Sequence, residues 1–446
     1  MGATAVPADA TGATGTPSFW EAFRFWLKLG FINFGGPAGQ IAIMHRELVE
    51  QRRWVSEPLF LRALNFSMLL PGPEATELAI YIAWRMHGIR GGIVAGTFFV
   101  TPSVFVLLLL SWLSVAYTDV PLIRGLLYGV QPVVIAIVAD AVLRVARRTL
   151  KHPLLSVFAV AAFLALFVLR LPFPMTIGLA AVAGVVLQRW RPAVFRGGGH
   201  GGGHAATEEA PATVGATEQY RTWSHAVRVL SVFLVLWLVP LVGLYAWRGS
   251  ADTLTQEMWF FTQAAFVTFG GAYAVLSYIA DVAVNSYAWL TPAEMVRGLG
   301  LAESTPGPLI MVTEYVGFLA AWKTAPADLP RLLYATLGAL ITVFATFLPT
   351  FLFIFLGAPY IEWLSGNQRL QAALTGVTAA VVGVIANLAV FFALRILFPE
   401  GGGVDAFAAL VALGSFLVLR RFALQTYHLV PVGALLGMAW VLLGFR

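Results

Sequence analysis

Residues 93–118, 229–247 and 332–361 of this 446-residue chain carry no charged side chain. A helix needs about 20 apolar residues to cross the hydrocarbon core of a bilayer, and these stretches have that length. A soluble chain of this size would also need a charged surface. Here 11% of residues are charged and 59% are hydrophobic, against roughly 25% and 45–50% in soluble domains. The sequence therefore predicts an all-α, polytopic membrane protein whose first partner is the lipid bilayer.

The net charge of +6 does not point to nucleic acid. Lys and Arg gather in the short loops between apolar runs, as insertion into a membrane requires, and no basic stripe with interleaved aromatics occurs. The absence of cysteine excludes disulfides. Residues 1–18 are small and polar, without a basic start or an apolar stretch. They read as a disordered tail and not as a cleaved signal peptide.

Internal similarity is the next constraint. Phe31-Ile32-Asn33-Phe34-Gly35-Gly36 matches Phe266-Val267-Thr268-Phe269-Gly270-Gly271. At the same offset Trp54-Val55-Ser56 matches Trp289-Leu290-Thr291, and Pro71-Gly72-Pro73 matches Pro306-Gly307-Pro308. With a small insertion in the second half, Thr101-Pro102-Ser103 matches Leu348-Pro349-Thr350 and Ala139-Asp140 matches Ala386-Asn387. This gives a tail at 1–18, a first transmembrane repeat at 19–191, a flexible Gly-rich linker at 192–223, a linking transmembrane helix at 224–248 and a second repeat at 256–446. The linker contains the run GGGHGGGH at 197–204. It reads as a spacer, and no metal centre is expected there.

Loop charges set the orientation. Arg46, Arg52, Arg53 and Arg62 surround Trp54, and Arg144, Arg147, Arg148 and Lys151 follow a later span; both loops should be cytoplasmic. The Trp289 loop holds only Glu294 and Arg297 and reads as external. The halves are therefore expected to be inserted upside down relative to each other, which the unpaired span at 224–248 permits. Such inverted-topology repeats are a transporter signature.

Each repeat begins with two broken or re-entrant helical segments. Gly35-Gly36-Pro37 interrupts the first and Pro71-Gly72-Pro73 the second, because proline lacks the N–H donor and glycine permits the bend. Two half-helices meeting at each break is the primary reading, and two kinked spans per half is the alternative. A helix that restarts after such a break presents free N–H groups and the positive end of its dipole, which attract an anion. The expected anion site comprises Gly35, Gly36, Pro37, Gln40, Pro71, Gly72 and Pro73 from the first half. Gly270, Gly271, Pro306, Gly307 and Pro308 join from the second. Asn33 and Asn65 are further hydrogen-bonding candidates.

The run FINFGGPAGQIAIMHRELVEQRRWVSEPLFLRALNFSMLLPGPEATELAIYIAWRMHGIRGGIVAG resembles the first-half signature of the chromate ion transporter family. FVTFGGAYAV and STPGPLIMVTEYVGF resemble its second half. The resemblance implies a secondary transporter that exports chromate from the cytoplasm across the bacterial inner membrane. Sulfate, another tetrahedral dianion, is the natural alternative substrate.

Proton-coupling or charge-compensating candidates are Glu74, Glu77, His45, Arg46 and Asp140. Each has a plainer reading: Glu74 and Glu77 can cap a helix dipole, and His45 and Arg46 can anchor an interface. Asp140 can form an i,i+4 pair with Arg144, though an ionisable group within a span is a functional candidate by default. Leu309 stands where the first half has Glu74, so the two sites are not chemically equal. No HExxH, GxSxG or paired-Asp arrangement occurs, so no catalytic residue, cofactor or enzyme activity is expected. The sequence leaves the number of spans, the coupling ion and an oligomer open.

Reporter fusions placed after Trp54 and after Trp289 should report opposite faces of the membrane, cytoplasmic and external respectively. The same face for both would refute the inverted arrangement.

Overall fold

In the computed structural model the described residues are 16–196, 220–399, 403–422, 424 and 426–445. Most of the expected N-terminal tail and the Gly-rich part of the linker, with its GGGHGGGH run, lie outside them. The described chain is helical, with no strand among those residues. Five helices are long and apolar enough to cross a membrane: Glu74–Ala116, Pro121–Thr149, Trp223–Arg248, the run Arg331–Tyr360 and Gln368–Leu397. The chain is thus the all-α multi-pass membrane protein that its composition requires.

The first half runs α1 (Phe19–Ile32), α2 (Gly36–His45), a π-helical turn (Arg46–Gln51), α3 (Glu57–Ser67), α4 (Glu74–Ala116), α5 (Pro121–Thr149), α6 (Pro153–Phe167) and α7 (Phe173–Gln188). A short helix, α8 (Pro192–Arg196), follows and buries Phe195. The start of the expected linker is therefore folded onto the bundle. After α9 (Trp223–Arg248) come α10 (Thr253–Phe266), α11 (Ala272–Asp281), a second π-helical turn (Val282–Ser286) and α12 (Pro292–Ser304). The chain continues through α13 (Val312–Thr324), α14 (Arg331–Gly357), the short α15 (Ile361–Gly366), α16 (Gln368–Leu397), α17 (Ala406–Phe422) and α18 (Thr426–Leu442).

The opening helices of the first half are each too short to cross a bilayer alone. At 1.5 Å per residue, α1, α2 and α3 are about 21, 15 and 17 Å long, short of the roughly 30 Å hydrocarbon core. Non-helical backbone between such pieces survives at membrane depth only where protein or a water-filled cavity surrounds it. Ser18 caps α1 through its side chain, and Thr291 with Glu294 forms a capping box on α12.

α4 is two helices joined at a bend. His87 and Gly88 leave helical geometry, and Gly88 has φ 63° and ψ −156°, a region that is essentially glycine's own and costs other residues about 1–3 kcal/mol. The piece before Gly88 starts at the Pro71-Gly72-Pro73 break, and the piece after it carries the charge-free apolar run. In the second half a Pro-containing loop, residues 325–330, separates α13 from α14 at the corresponding place.

The two packing cores exchange their long helices. One core gathers side chains of α1–α3 and the first part of α4, and it also takes Ile354 and Phe355 from α14. The other gathers α5, α10–α14 and α16, and it takes Val100 and Leu107 from α4. Neither half closes its core alone. α9 stands at the edge with most of its side chains exposed; it is held to the second half by Trp237 Nε1 donating to Thr262 Oγ1 at 2.9 Å.

Candidate functional site

The four breaks meet in a crossed pair. Gly72 N–H donates to the Thr268 carbonyl at 2.9 Å, and Gly307 N–H donates to the Asn33 carbonyl at 2.8 Å. Thr268 precedes the Gly270-Gly271 break, and Asn33 precedes the Gly35-Gly36 break. Each Pro-Gly-Pro turn is therefore tied to the Gly-Gly break of the other half. Gln40 reinforces one crossing, its Nε2 donating to the Gly307 carbonyl at 2.6 Å.

Glycine is needed at these positions for two different reasons. Gly35, Gly36, Gly270 and Gly271 have φ of 92°, 67°, 80° and 94°, in the region L side chains avoid. Gly72 and Gly307, with φ of 155° and 117°, are in addition closely packed. A Cβ on Gly72 would collide with the Glu77 carboxylate, and one on Gly307 would come 2.7 Å from Ser103 Cβ. Gly36 differs from both, because a Cβ there would meet nothing within 4 Å.

The open space beside Gly36 is a cavity of about 520 Å³, within the usual size range of ligand sites. Three helix starts face it: Gly35–Ala38 at α2, Gly270–Tyr273 at α11 and Glu74 at α4. Each N-terminus carries roughly half a positive elementary charge. Arg144 and Arg148 on α5 add two cations, and Gln371, Thr375 and Thr378 on α16 add polar groups. Two carboxylates oppose them, Glu74 and Glu303. Helix starts, guanidinium groups and carboxylates thus line one and the same cavity.

Of the residues expected from sequence, Gly35, Gly36, Pro37, Gly270, Gly271 and Glu74 line the cavity, as does Asn65. Pro71, Gly72, Pro73, Pro306, Gly307, Pro308 and Gln40 are not among its lining residues. They form the crossed supports, and Pro73 and Pro308 sit at the cap position before the helix starts. Glu77 is fully buried beside Gly72, with neither carboxylate oxygen hydrogen-bonded. His45 bridges Glu50 and Glu57 at the end of α2, and Arg46 beside it is exposed; neither lines the cavity. Asp140 pairs with Arg144 at 2.8 Å across one helical turn and lies 3.8 Å from Arg420, so the i,i+4 reading of Asp140 is the one observed.

Sequence reasoning assigned Arg144 and Arg148 to a loop and did not single out Tyr273, Glu303 or Thr426. Tyr273 Oη donates to Glu303 Oε1 at 2.5 Å, and Thr426 Oγ1 donates to Glu303 Oε2 at 3.0 Å. Their signal was weak. Each sits on a different helix, and the positions of Tyr273 and Glu303 correspond by offset to Ala38 and Met68, which are apolar.

Comparison with known proteins follows this geometry. The family model described as chromate transporter matches residues 20–185 and 255–438. The chain is 28% identical over 438 residues to the chromate transport protein of Cupriavidus metallidurans, covering 96% of each chain. It is 31% identical over 391 residues to the chromate transport protein of Pseudomonas aeruginosa, covering 85% of this chain and 83% of that one. A probable chromate transport protein of Synechococcus elongatus is 29% identical over 377 residues, with 84% of each chain covered. No solved structure matches.

The contrast between the glycines gives a paired prediction. Gly36→Val should insert and fold, at a backbone cost of about 1–3 kcal/mol, and should lower anion flux because its side chain projects into the cavity. Gly72→Val should fail earlier, with a lower yield of monodisperse protein in detergent, because it meets Glu77. Equal yields for the two variants, measured by fluorescence-detected size exclusion, would contradict this assignment of roles.

Proposed function

The chain belongs to the chromate transporter family, and from that premise we propose that it exports chromate from the cytoplasm as a secondary transporter of the bacterial inner membrane. Membership of this family makes it a transporter and not an enzyme. The observation that carries the substrate class is the convergence of three helix N-termini and two arginines on one cavity. Fixed dipoles and guanidinium groups suit a small oxyanion better than any cation or neutral solute. Sulfate, of the same shape and charge, is the second reading.

The loop charges are compatible with export. If the basic loop after α5 is cytoplasmic, the cavity approaches the cytoplasmic face, because its lining extends along α5 to Arg148 and Thr149. An exporter loads from that side. The crossed hydrogen bonds, the exchanged cores and the parallel order of helices support an inverted pair of repeats rocking about the breaks.

Coupling is assigned to Glu74. It faces the cavity one residue past Pro73, 3.7 Å from where a Cβ on Gly271 would stand. A dianion bound at these helix starts and an ionised Glu74 would repel strongly in a site of low dielectric. Glu74 therefore takes up a proton as the anion enters and releases it when the site empties. The charged groups around it are Glu77 one turn along its own helix, Arg144 and Arg148 on α5, and Glu303 on α12. Leu309 holds the corresponding place in the second half, which confines the switch to one side.

Everted vesicles that take up labelled chromate in response to an imposed pH gradient would support the reading, and uptake of sulfate alone would favour the second. Because proton uptake accompanies binding, wild-type affinity should rise as pH falls. Glu74→Gln should still bind chromate, with the part of the pH dependence that distinguishes it from wild type removed. Superimposable pH profiles for the two proteins would leave Glu74 as a helix cap.

A further inference from the structure

The second half contributes a carboxylate of a different kind. Glu303 is 7% exposed, lines the cavity and accepts a hydroxyl hydrogen bond on each oxygen, from Tyr273 of α11 and Thr426 of α18. All three residues line the cavity. Tyr273 stands in the first turn of α11, beside the N–H groups freed by the Gly270-Gly271 break. Glu74 has no such partners and faces open space.

We propose that Glu303 is a built-in competitor for the transported oxyanion, and that the Tyr273 and Thr426 hydroxyls are oxyanion-binding donors which Glu303 occupies while the site is empty. The inference rests on the reading of this cavity as the oxyanion site. A carboxylate and a tetrahedral oxyanion ask for the same partners: hydroxyl donors, guanidinium groups and helix N-termini. In the empty site the Glu303 carboxylate satisfies the two hydroxyls and offsets part of the positive field of α2, α11, Arg144 and Arg148. When an oxyanion enters, its oxygens take over those hydroxyl donors, and Glu303 retains lone pairs that repel it.

The arrangement has a purpose in a carrier. A cavity with three helix N-termini, two arginines and no negative charge would hold a dianion too tightly to release it. Transport needs binding that is favourable enough to load and weak enough to unload. Glu303 supplies the weakening without leaving two hydroxyls unpaired after the anion departs, an unpaired buried donor being costly. Its site exists in one half only, since the corresponding residues of the first half are Ala38 and Met68.

The test turns on a sign that a structural role would not produce. Glu303→Gln keeps the shape and removes the charge. With the purified full-length chain, chromate and sulfate binding would be measured by calorimetry, and chromate transport in proteoliposomes. The mutant should bind the oxyanion more tightly, by about tenfold or more for the loss of one nearby like charge, with a lower KM and a slower maximal rate. Tyr273→Phe should act oppositely and weaken binding by about three- to tenfold, the effect of one lost hydrogen bond. It also serves as the test if Glu303→Gln does not fold. Wild-type binding with an equal or weaker affinity in Glu303→Gln would overturn this inference alone, as would an unchanged Tyr273→Phe. Binding of neither oxyanion by wild type or mutant would overturn it together with the substrate reading.

Discussion

Two backbone hydrogen bonds tie this molecule together at its centre, from Gly72 to Thr268 and from Gly307 to Asn33. Each joins the Pro-Gly-Pro turn of one half to the residue before the Gly-Gly break of the other. Broken helices in a membrane leave peptide groups that water cannot reach, and each must find a partner. Here the breaks satisfy one another. Positive φ favours glycine at all six positions, and at 72 and 307 the side chains of Glu77 and Ser103 leave no room for a Cβ either.

The cavity is a consequence of that crossing. Once the turns are pinned, the helix starts at Gly36, Ala272 and Glu74 are held around one space, and helix starts carry the positive end of the dipole. Such a site is positive without any side chain, and the chain then adjusts it with charged residues. Arg144 and Arg148 raise the positive field, while Glu74 and Glu303 lower it. Glu74 faces the cavity, and Glu303 is clamped between two hydroxyls. The two halves thus supply the same backbone frame and different chemistry, and a transport cycle that treats them as interchangeable does not fit these side chains.

Much of the frame was legible in the sequence. The charge-free runs give the helical membrane class, because few other structures tolerate them. The Gly-Gly and Pro-Gly-Pro series, repeated in register, marks the breaks, since those residues have few other uses in a row. The pairing of Asp140 with Arg144 follows from helical spacing. The crossing was not legible, because which turn meets which break is set by tertiary packing and leaves no local pattern. The Pro-Gly-Pro turns, read from sequence as part of the anion site, are not among the residues that line the cavity. The Glu303 cluster was also hidden: its three residues are brought together from α11, α12 and α18, and only the fold makes them neighbours.

The central claim is that the transported anion sits between the Gly35-Gly36 and Gly270-Gly271 breaks. Chromium scatters anomalously, so diffraction from crystals of the full chain grown with chromate would locate it directly. The account predicts one chromium peak in the cavity, within contact of the backbone at Gly36 and Gly271 and of the Tyr273 hydroxyl. A peak outside that cavity, with the space between the two breaks empty, would contradict it.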